Sequence, residues 1–189
     1  MSGLPIIVGI SGASGVVYGV RMLEILRELQ IETHLVLSPS GEITIAHETD
    51  RKIADIKALA THVHAQRDIG ASIASGSFRT RGMVVAPCSV RSMSEIASGV
   101  TSGLLTRAAD VVLKERRRLV LMVRETPLHT GHLRTMTRLS EMGAIVAPPL
   151  PAFYARPQSL TEMIDHTVGR VLDLFDIDAG LVRRWRSGS

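Results

Sequence analysis

The chain has 189 residues, of which 45% are hydrophobic, 21% charged and 3% aromatic, and its formal net charge at pH 7 is +4. A chain of this length is expected to fold as one domain without disulfides or a structural metal, since a domain of about 150 residues already buries about 70% of its unfolded surface. The single cysteine excludes a disulfide framework and indicates a reducing compartment, so we expect a cytoplasmic protein. The few aromatic residues argue against a base-stacking surface for nucleic acid, and no apolar run is long enough for a transmembrane helix.

Short apolar runs alternate along the chain with longer stretches of helical periodicity. They predict strands at residues 4–10, 33–37, 83–86, 119–123 and 144–147, and helices at 16–29, 42–46, 53–59, 93–99, 104–116, 133–142 and 160–175. Ser159 is a suitable N-cap for the last helix. Continuously apolar strands separated by helices are typical of a parallel sheet covered on both faces, which predicts a doubly wound, three-layer α/β domain. Such domains bind ligands beyond the carboxyl ends of their strands.

The first predicted strand is followed by a glycine-rich turn. Gly9, Gly12 and Gly15 are spaced Gly-x-x-Gly-x-x-Gly, with serines at positions 11 and 14 that add hydroxyl donors. Glycines let a ligand approach the backbone and the next helix favours an anion at its N-terminus, although a plain strand–helix turn would also use them. Dinucleotide sites have a different spacing, and Ser38 stands where a ribose-binding acid would follow the second strand. The pattern therefore favours a mononucleotide over NAD.

Polar residues also follow the next two predicted strands. Ser89 and Ser92 suit either an anion site or a helix cap, and the adjacent Cys88 is expected to be a small core residue rather than a nucleophile. Arg124 could grip a phosphate and Glu125 could move a proton, unless the two form an exposed ion pair.

The last predicted strand leads into a loop at residues 148–157 that contains four prolines. Prolines stiffen a loop, so Tyr154 is expected either to be presented to a ligand or to pack the loop itself. The histidines show no metal-ligand pattern: His129 and His132 have no evident third ligand, and His62 and His64 are expected to be solvated.

Taken together, these segments resemble the UbiX/Pad1 family of flavin prenyltransferases. The resemblance is carried by residues 9–15 (GISGASG), 47–50 (HETD), 87–89 (PCS), 107–116 (RAADVVLKER), 123–128 (VRETPL) and 151–154 (PAFY), which span nearly the whole chain. It implies a Rossmann-like flavoprotein fold, with residues 1–189 as a single FMN-binding domain whose arm at 176–189 lies near the active site. It also implies a homo-oligomer, usually a dodecamer, a dimethylallyl phosphate donor, and a UbiD-type decarboxylase that receives the prenylated FMN.

The resemblance also assigns roles to individual positions. It implies FMN contacts at Gly12, Ala13, Ser14, Ser38, Ser89, Val90, Arg91, Ser92 and Arg124. It implies dimethylallyl phosphate contacts at Lys114, Arg124, Tyr154 and Arg170, catalytic polar residues at Ser14, Glu48 and Glu125, and a tryptophan near the active site at Trp185. Residues 39–41 and Arg118 depart from the family's pattern, but neither departure touches the expected chemistry.

The implied reaction joins a dimethylallyl group to N5 and then to C6 of reduced FMN, which is consumed as a substrate. The phosphate leaving group needs positive charge, which Lys114, Arg124 and Arg170 can supply; no metal-ligand set is evident, so we expect a metal-independent reaction. Closing the ring releases a proton, which either Glu125 or the departing phosphate could accept. Two alternatives stay open: a cysteine decarboxylase of the same fold, although its Pro-x-Met-Asn signature is missing, and an FMN-storage subunit. We expect neither nucleic-acid nor membrane partners.

Overall fold

The computed structural model describes residues 3–185, which contain one sheet of six parallel strands. The strands are β1 (Ile6–Ile10), β2 (Thr33–Leu37), β3 (His62–His64), β4 (Gly82–Cys88), β5 (Arg118–Val123) and β6 (Ile145–Val146). The α-helices are α1 (Val16–Glu28), α2 (Pro39–Glu48), α3 (Ile53–Lys57), α4 (Val90–Ser98), α5 (Leu104–Lys114), α6 (Thr130–Glu141) and α7 (Leu160–Asp173). Every strand and helix predicted from the sequence is present; β2 has the predicted ends, and each of the others is shifted at one or both ends.

Three helices begin three residues earlier than their periodicity predicts. The first turns of α2, α4 and α6 contain few apolar residues, so hydrophobic spacing does not mark them. Their starts are set by caps instead: Ser38 accepts a hydrogen bond from the Gly41 N–H, Ser89 from the Ser92 N–H, and His129 caps α6. The predicted cap of α7 is confirmed, because Ser159 Oγ accepts from the Glu162 N–H at 3.1 Å.

The strand order β3-β2-β1-β4-β5-β6 reverses direction at β1, which pairs with β2 on one side and β4 on the other. Side chains alternate between the two faces of the sheet. One face packs on α1, α2, α3 and α7, and the other packs on α4, α5 and α6. The doubly wound, three-layer α/β architecture is therefore confirmed, and the reversal leaves a crevice beyond the carboxyl ends of β1 and β4. No helix within residues 3–185 is long and apolar enough to cross a membrane.

The strand β3 is not predicted from the sequence. It is a three-residue edge strand that reads His-Val-His, so it carries no apolar run. It nevertheless pairs with β2, with His34 opposite His62 and Val36 opposite His64. The expectation that both histidines of β3 are solvated is wrong for His64, which is half-buried because its ring contacts the buried His34.

Close packing of α1 against β4 depends on Gly19. A Cβ at this position would overlap the carbonyl oxygen of Ala86 and crowd Ile10. Gly19→Ala is therefore expected to destabilise the fold by about 1–3 kcal/mol, although alanine favours a helix over glycine by about 1 kcal/mol. Gly70→Ala is the matched control, since its Cβ would meet only Asp68 Oδ1 at 3.6 Å. Urea unfolding of both variants measures the difference, and equal midpoints would contradict the packing argument.

Candidate active site

A buried serine joins the ends of β1 and β4 beneath the crevice. Ser11 Oγ donates to the carbonyl of Pro87 at 2.7 Å and accepts from the Ser89 N–H at 2.8 Å. The residue is only 1% exposed. The expectation that Ser11 offers a hydroxyl to a ligand is therefore wrong, because both hydrogen bonds are made within the protein, where they fix the turn that follows β1 against the start of α4.

A cavity of about 430 Å³ lies beyond the carboxyl ends of β2, β3 and β4. Its lining includes four of the predicted FMN contacts, Ser38, Ser89, Arg91 and Ser92, together with Ser40, Gln66, Arg67, Ser102 and Thr106. The helices α2 and α4 both begin beside residues that line the cavity, and the N-terminus of a helix favours an anion. The volume falls within the range of about 300–1,000 Å³ typical of small-molecule sites. The donors and the size fit a mononucleotide with a phosphate group.

The glycine turn packs against Ser40, which lines this cavity. A Cβ on Gly12 would come within 2.5 Å of the Ser40 Cβ, and Thr44 Oγ1 donates to the Gly12 carbonyl at 3.3 Å. Gly12 is thus required for close packing of the turn against α2. The side chain of Ala13 is buried, so this residue can offer a ligand little more than its backbone.

The N-terminus of α1, where the sequence predicts an anion, is bound by a carboxylate of the protein itself. Glu48 Oε2 accepts hydrogen bonds from the N–H groups of Gly15 at 2.8 Å and Val16 at 3.1 Å. Burial would raise the pKa of Glu48, but these bonds, a bond from the Ser14 side chain and the charge of Arg124 together lower it. Ser14, Glu48 and Arg124, which we call the Glu48 cluster, therefore lie together although they are far apart in sequence.

The lowered pKa of Glu48 makes its contribution to stability depend on pH. A carboxylate whose pKa is lower in the folded than in the unfolded state stabilises the fold above its unfolded pKa, and this stabilisation is lost as pH falls through the folded value. Glu48→Gln is therefore expected to be less stable than the wild type at pH 7, with the difference vanishing in acid below the folded pKa. Chemical unfolding of both proteins across the acidic range measures this; a difference that persists unchanged in acid would contradict it.

Arg124 and Glu125 occupy the turn that follows β5. The Arg124 N–H donates to the Cys88 carbonyl at 3.1 Å, which places it beside the start of α4. Glu125 is half-buried and its Oε1 accepts from the Thr126 N–H at 2.9 Å. Within residues 3–185 no ion pair joins Arg124 to Glu125, so the structure does not support the exposed ion pair considered from sequence. Cys88 is fully buried and burial raises its pKa to about 12, which confirms it as a core residue.

Tyr154 and Arg170 line a second cavity, of about 320 Å³, between the proline-rich loop and α7. The Tyr154 ring stands edge-on to Trp185, with ring centroids 5.4 Å apart, and its hydroxyl lies 3.4 Å from His166 Nε2. His166 is 6% exposed and also lines the cavity, but the sequence analysis missed it. The sequence does hold one signal for His166: it lies four residues before Arg170, so both side chains are expected on the same face of α7.

Lys114 lies at the end of α5 that is farther from the first cavity. The helix α5 begins beside that cavity, where the Leu105 N–H donates to Gln66 Oε1, and it then runs for 11 residues, a length of about 16 Å. Lys114 ends the helix and contacts the carboxylate of Glu115. The second cavity is lined by Tyr154 and Arg170 but by neither Lys114 nor Arg124. One chain therefore does not bring the four predicted phosphate contacts together.

A doubly wound parallel sheet with a mononucleotide-sized, anion-favouring cavity beyond the carboxyl ends of its strands defines a mononucleotide-binding class of α/β protein. The model of the family described as Flavoprotein matches residues 1–185 of this chain. A flavin prenyltransferase UbiX of Thauera aromatica is 58% identical over 180 residues, which are 95% of this chain and 93% of that protein. The chain belongs to the UbiX family of flavin prenyltransferases.

Solved structures show the same similarity. The crystal structure of AnUbiX (PadA1) in complex with FMN and dimethylallyl pyrophosphate has a TM-score of 0.96 and 48% identity, and the match covers 98% of this chain and 99% of that one. A dodecameric FMN-dependent UbiX-like decarboxylase from Escherichia coli O157:H7 has a TM-score of 0.94 and 48% identity, with coverage of 97% and 100%. The Rossmann-like flavoprotein fold implied by the resemblance is thereby confirmed.

Proposed function

We propose that this chain is a flavin prenyltransferase, which joins a dimethylallyl group to N5 and C6 of reduced FMN. Two observations carry this proposal in a member of the UbiX family: the Glu48 cluster, and the mononucleotide-sized cavity beyond the carboxyl ends of the strands. The AnUbiX complex, which holds both FMN and dimethylallyl pyrophosphate, supports the assignment of both ligands. The cysteine decarboxylase and the FMN-storage subunit are less well supported, since the close relative is a prenyltransferase by name.

The first cavity would hold FMN. Reduced FMN, when bound, supplies the nucleophilic N5 and C6 atoms. Ser38 and Ser89 cap the two helices whose N-termini face the cavity, so they and Ser92 would bind its phosphate or ring edge. Arg91 lines the cavity too, but its Nε lies 2.9 Å from Glu95 Oε1, so its positive charge is already partly balanced. The backbone of Gly12, Ala13 and Val90 would complete the contacts.

The cationic residues would act on the prenyl phosphate. Charge develops on the phosphate as its bond to the dimethylallyl group breaks, and pre-arranged donors stabilise that charge without a metal. We assign this role to Lys114, Arg124, Arg170 and the Tyr154 hydroxyl. Ser14 and Glu48 would orient the reacting groups, and Glu125 would accept the proton released when the new ring closes.

Because one chain does not bring these phosphate contacts together, we propose that neighbouring copies complete the site. The dodecameric relative from Escherichia coli O157:H7 supports such an assembly. The mass of the assembly in light scattering is then expected to be many times the 20.5 kDa of one chain. Monomers at micromolar concentration would contradict the proposal.

Mixed assemblies test the shared site directly. Lys114→Ala and Arg124→Ala chains are each expected to be inactive alone. If Lys114 and Arg124 reach one site from different copies, an assembly reconstituted from both variants contains some sites in which both residues are intact, so activity returns in part. If both residues came from the same copy, mixing would restore nothing. Mixing Lys114→Ala with itself is the control.

The same proposal extends to the context in which the enzyme works. The product would pass to a UbiD-type decarboxylase, and the reduced flavin and the single free cysteine suit the cytoplasm. We propose that residues 1–189 form one FMN-binding domain whose arm, 176–189, brings Trp185 to Tyr154. Residues 186–189 of that arm lie outside the described residues.

One experiment tests the function. The protein is incubated anaerobically with reduced FMN and either dimethylallyl phosphate or the diphosphate, and the flavin is weighed by mass spectrometry. The flavin mass is expected to rise by one dimethylallyl group less the proton it displaces, and the two donors compared side by side show which is used. An unchanged flavin mass with both donors, or uptake of NAD instead of FMN, would overturn the proposal.

A further inference from the structure

Four side chains of types that can bind metal ions cluster at the β2–β3 edge of the sheet, and none of them lines the first cavity. They are Glu32, His34, His62 and His64, and we call them the histidine cluster. His34 precedes Ser38 by four residues, a separation of about 13 Å along a strand. Nothing in the proposed prenyl transfer uses these residues, and they come together only because β3 pairs with β2.

Three of the possible ligand atoms lie close together. Glu32 Oε1 lies 3.3 Å from His34 Nε2 and 3.3 Å from His62 Nε2, and the three ligand atoms all lie within 4.8 Å of one another. Ligand atoms about 2.0–2.1 Å from a tetrahedral zinc ion are about 3.3–3.4 Å apart. Two of the three separations therefore already match the edge of a zinc coordination tetrahedron.

We propose that Glu32, His34 and His62 bind a divalent transition-metal ion of the zinc type, with one coordination position open to solvent. Two imidazoles and a carboxylate suit Zn²⁺ and its neighbours better than Mg²⁺ or Ca²⁺, which prefer oxygen ligands. The side chains of Glu32 and His62 are partly exposed, so an ion can reach the site from solvent. His34 is only 4% exposed, so its side chain is held in place by the residues packed around it.

His64 supplies the support that a metal-binding histidine normally needs. Its Nε2 lies 2.8 Å from His34 Nδ1, so it can accept that N–H and leave His34 Nε2 with its lone pair directed at the site.

A bound ion would stabilise the pairing of the short edge strand β3 with β2. Glu32 directly precedes β2 and His34 lies within it, whereas His62 begins β3, so one ion would link the two strands at their amino ends. Ligands that bind only the folded state stabilise it, so bound metal is expected to raise the temperature of thermal unfolding.

The test uses the full-length protein after treatment with a chelator. Zn²⁺ titrated into the wild type is expected to bind with one ion per chain, and Co²⁺ is expected to give the visible spectrum of a four-coordinate ion. Glu32→Gln keeps the size of the side chain but removes a ligand, and His62→Ala changes a half-exposed residue, so both should fold. Each is expected to weaken binding by more than about tenfold.

The control variant is His132→Ala, which removes one member of the other close histidine pair, whose ring centroids are 3.6 Å apart. It is expected to bind Zn²⁺ as the wild type does, and metal should raise its unfolding temperature equally. The proposal is overturned if the wild type takes up less than one ion per chain at saturating Zn²⁺, if Glu32→Gln and His62→Ala retain full affinity, or if His132→Ala loses it. None of these readouts depends on prenyl transfer.

Discussion

Glu125→Gln is expected to slow prenyl transfer by roughly a hundred- to ten-thousandfold, the range that general acid–base groups contribute, while both ligands still bind. Glutamine matches glutamate in size, and its amide oxygen can still accept the hydrogen bond that the Thr126 N–H donates to Glu125 Oε1. What it loses is the ability to take up a proton. The change therefore affects the step in which the ring closes and leaves binding intact.

The measurement combines FMN titration with single-turnover prenyl transfer under anaerobic conditions. Glu141→Gln, the same chemical change at an exposed position at the end of α6, is the control and should leave the rate unchanged. If Glu125→Gln turns over at the wild-type rate, the departing phosphate accepts the proton instead. If FMN binding falls with the rate, Glu125 helps to bind or position the ligand and is not specifically the proton acceptor.

The sheet could be predicted from sequence because its strands are buried on both faces. Strands such as β1 and β4 are continuous apolar runs, and α1 shows a clear helical period, so local composition alone marks them. The exception, β3, owes its structure to pairing with β2 rather than to its own residues. A three-residue histidine-rich segment carries no local signal for that pairing, and neither does the histidine cluster that it creates.

The site was predicted less completely than the fold, and for a physical reason. Residues that directly follow strands, such as Ser38, Ser89 and Arg124, could be found because all parallel strands point their carboxyl ends the same way. Glu48 lies at the end of α2, and only the family resemblance indicates it as a site residue. No local sequence pattern predicts that its carboxylate accepts hydrogen bonds at the N-terminus of α1. His166 was missed because it is buried in mid-helix, where its contact with Tyr154 depends on how the proline-rich loop folds.

Arg170→Ala is expected to leave FMN affinity unchanged but to weaken use of the prenyl phosphate by about ten- to a hundredfold. A charge-assisted hydrogen bond to phosphate contributes roughly 1.5–3 kcal/mol, which corresponds to that loss. Arg170 lines the cavity that contains Tyr154 and is remote in sequence from the strand ends that would hold FMN. Its Nη1 lies 2.7 Å from Asp173 Oδ2, and its side chain is 51% exposed, so the guanidinium has room to turn towards a phosphate.

The matched control is Arg184→Ala, because Arg184 pairs with the same carboxylate, with Nη1 3.0 Å from Asp173 Oδ2. Burial would raise the pKa of Asp173, but Arg184 and Arg170 together lower it, so either arginine can keep the carboxylate paired when the other is removed. Both variants should therefore fold, and only Arg170→Ala should raise the KM for the prenyl phosphate. Equal losses in the two variants would show that the Asp173 ion pairs matter and phosphate contact does not. A fall in FMN affinity in Arg170→Ala alone would instead place this arginine in the flavin site.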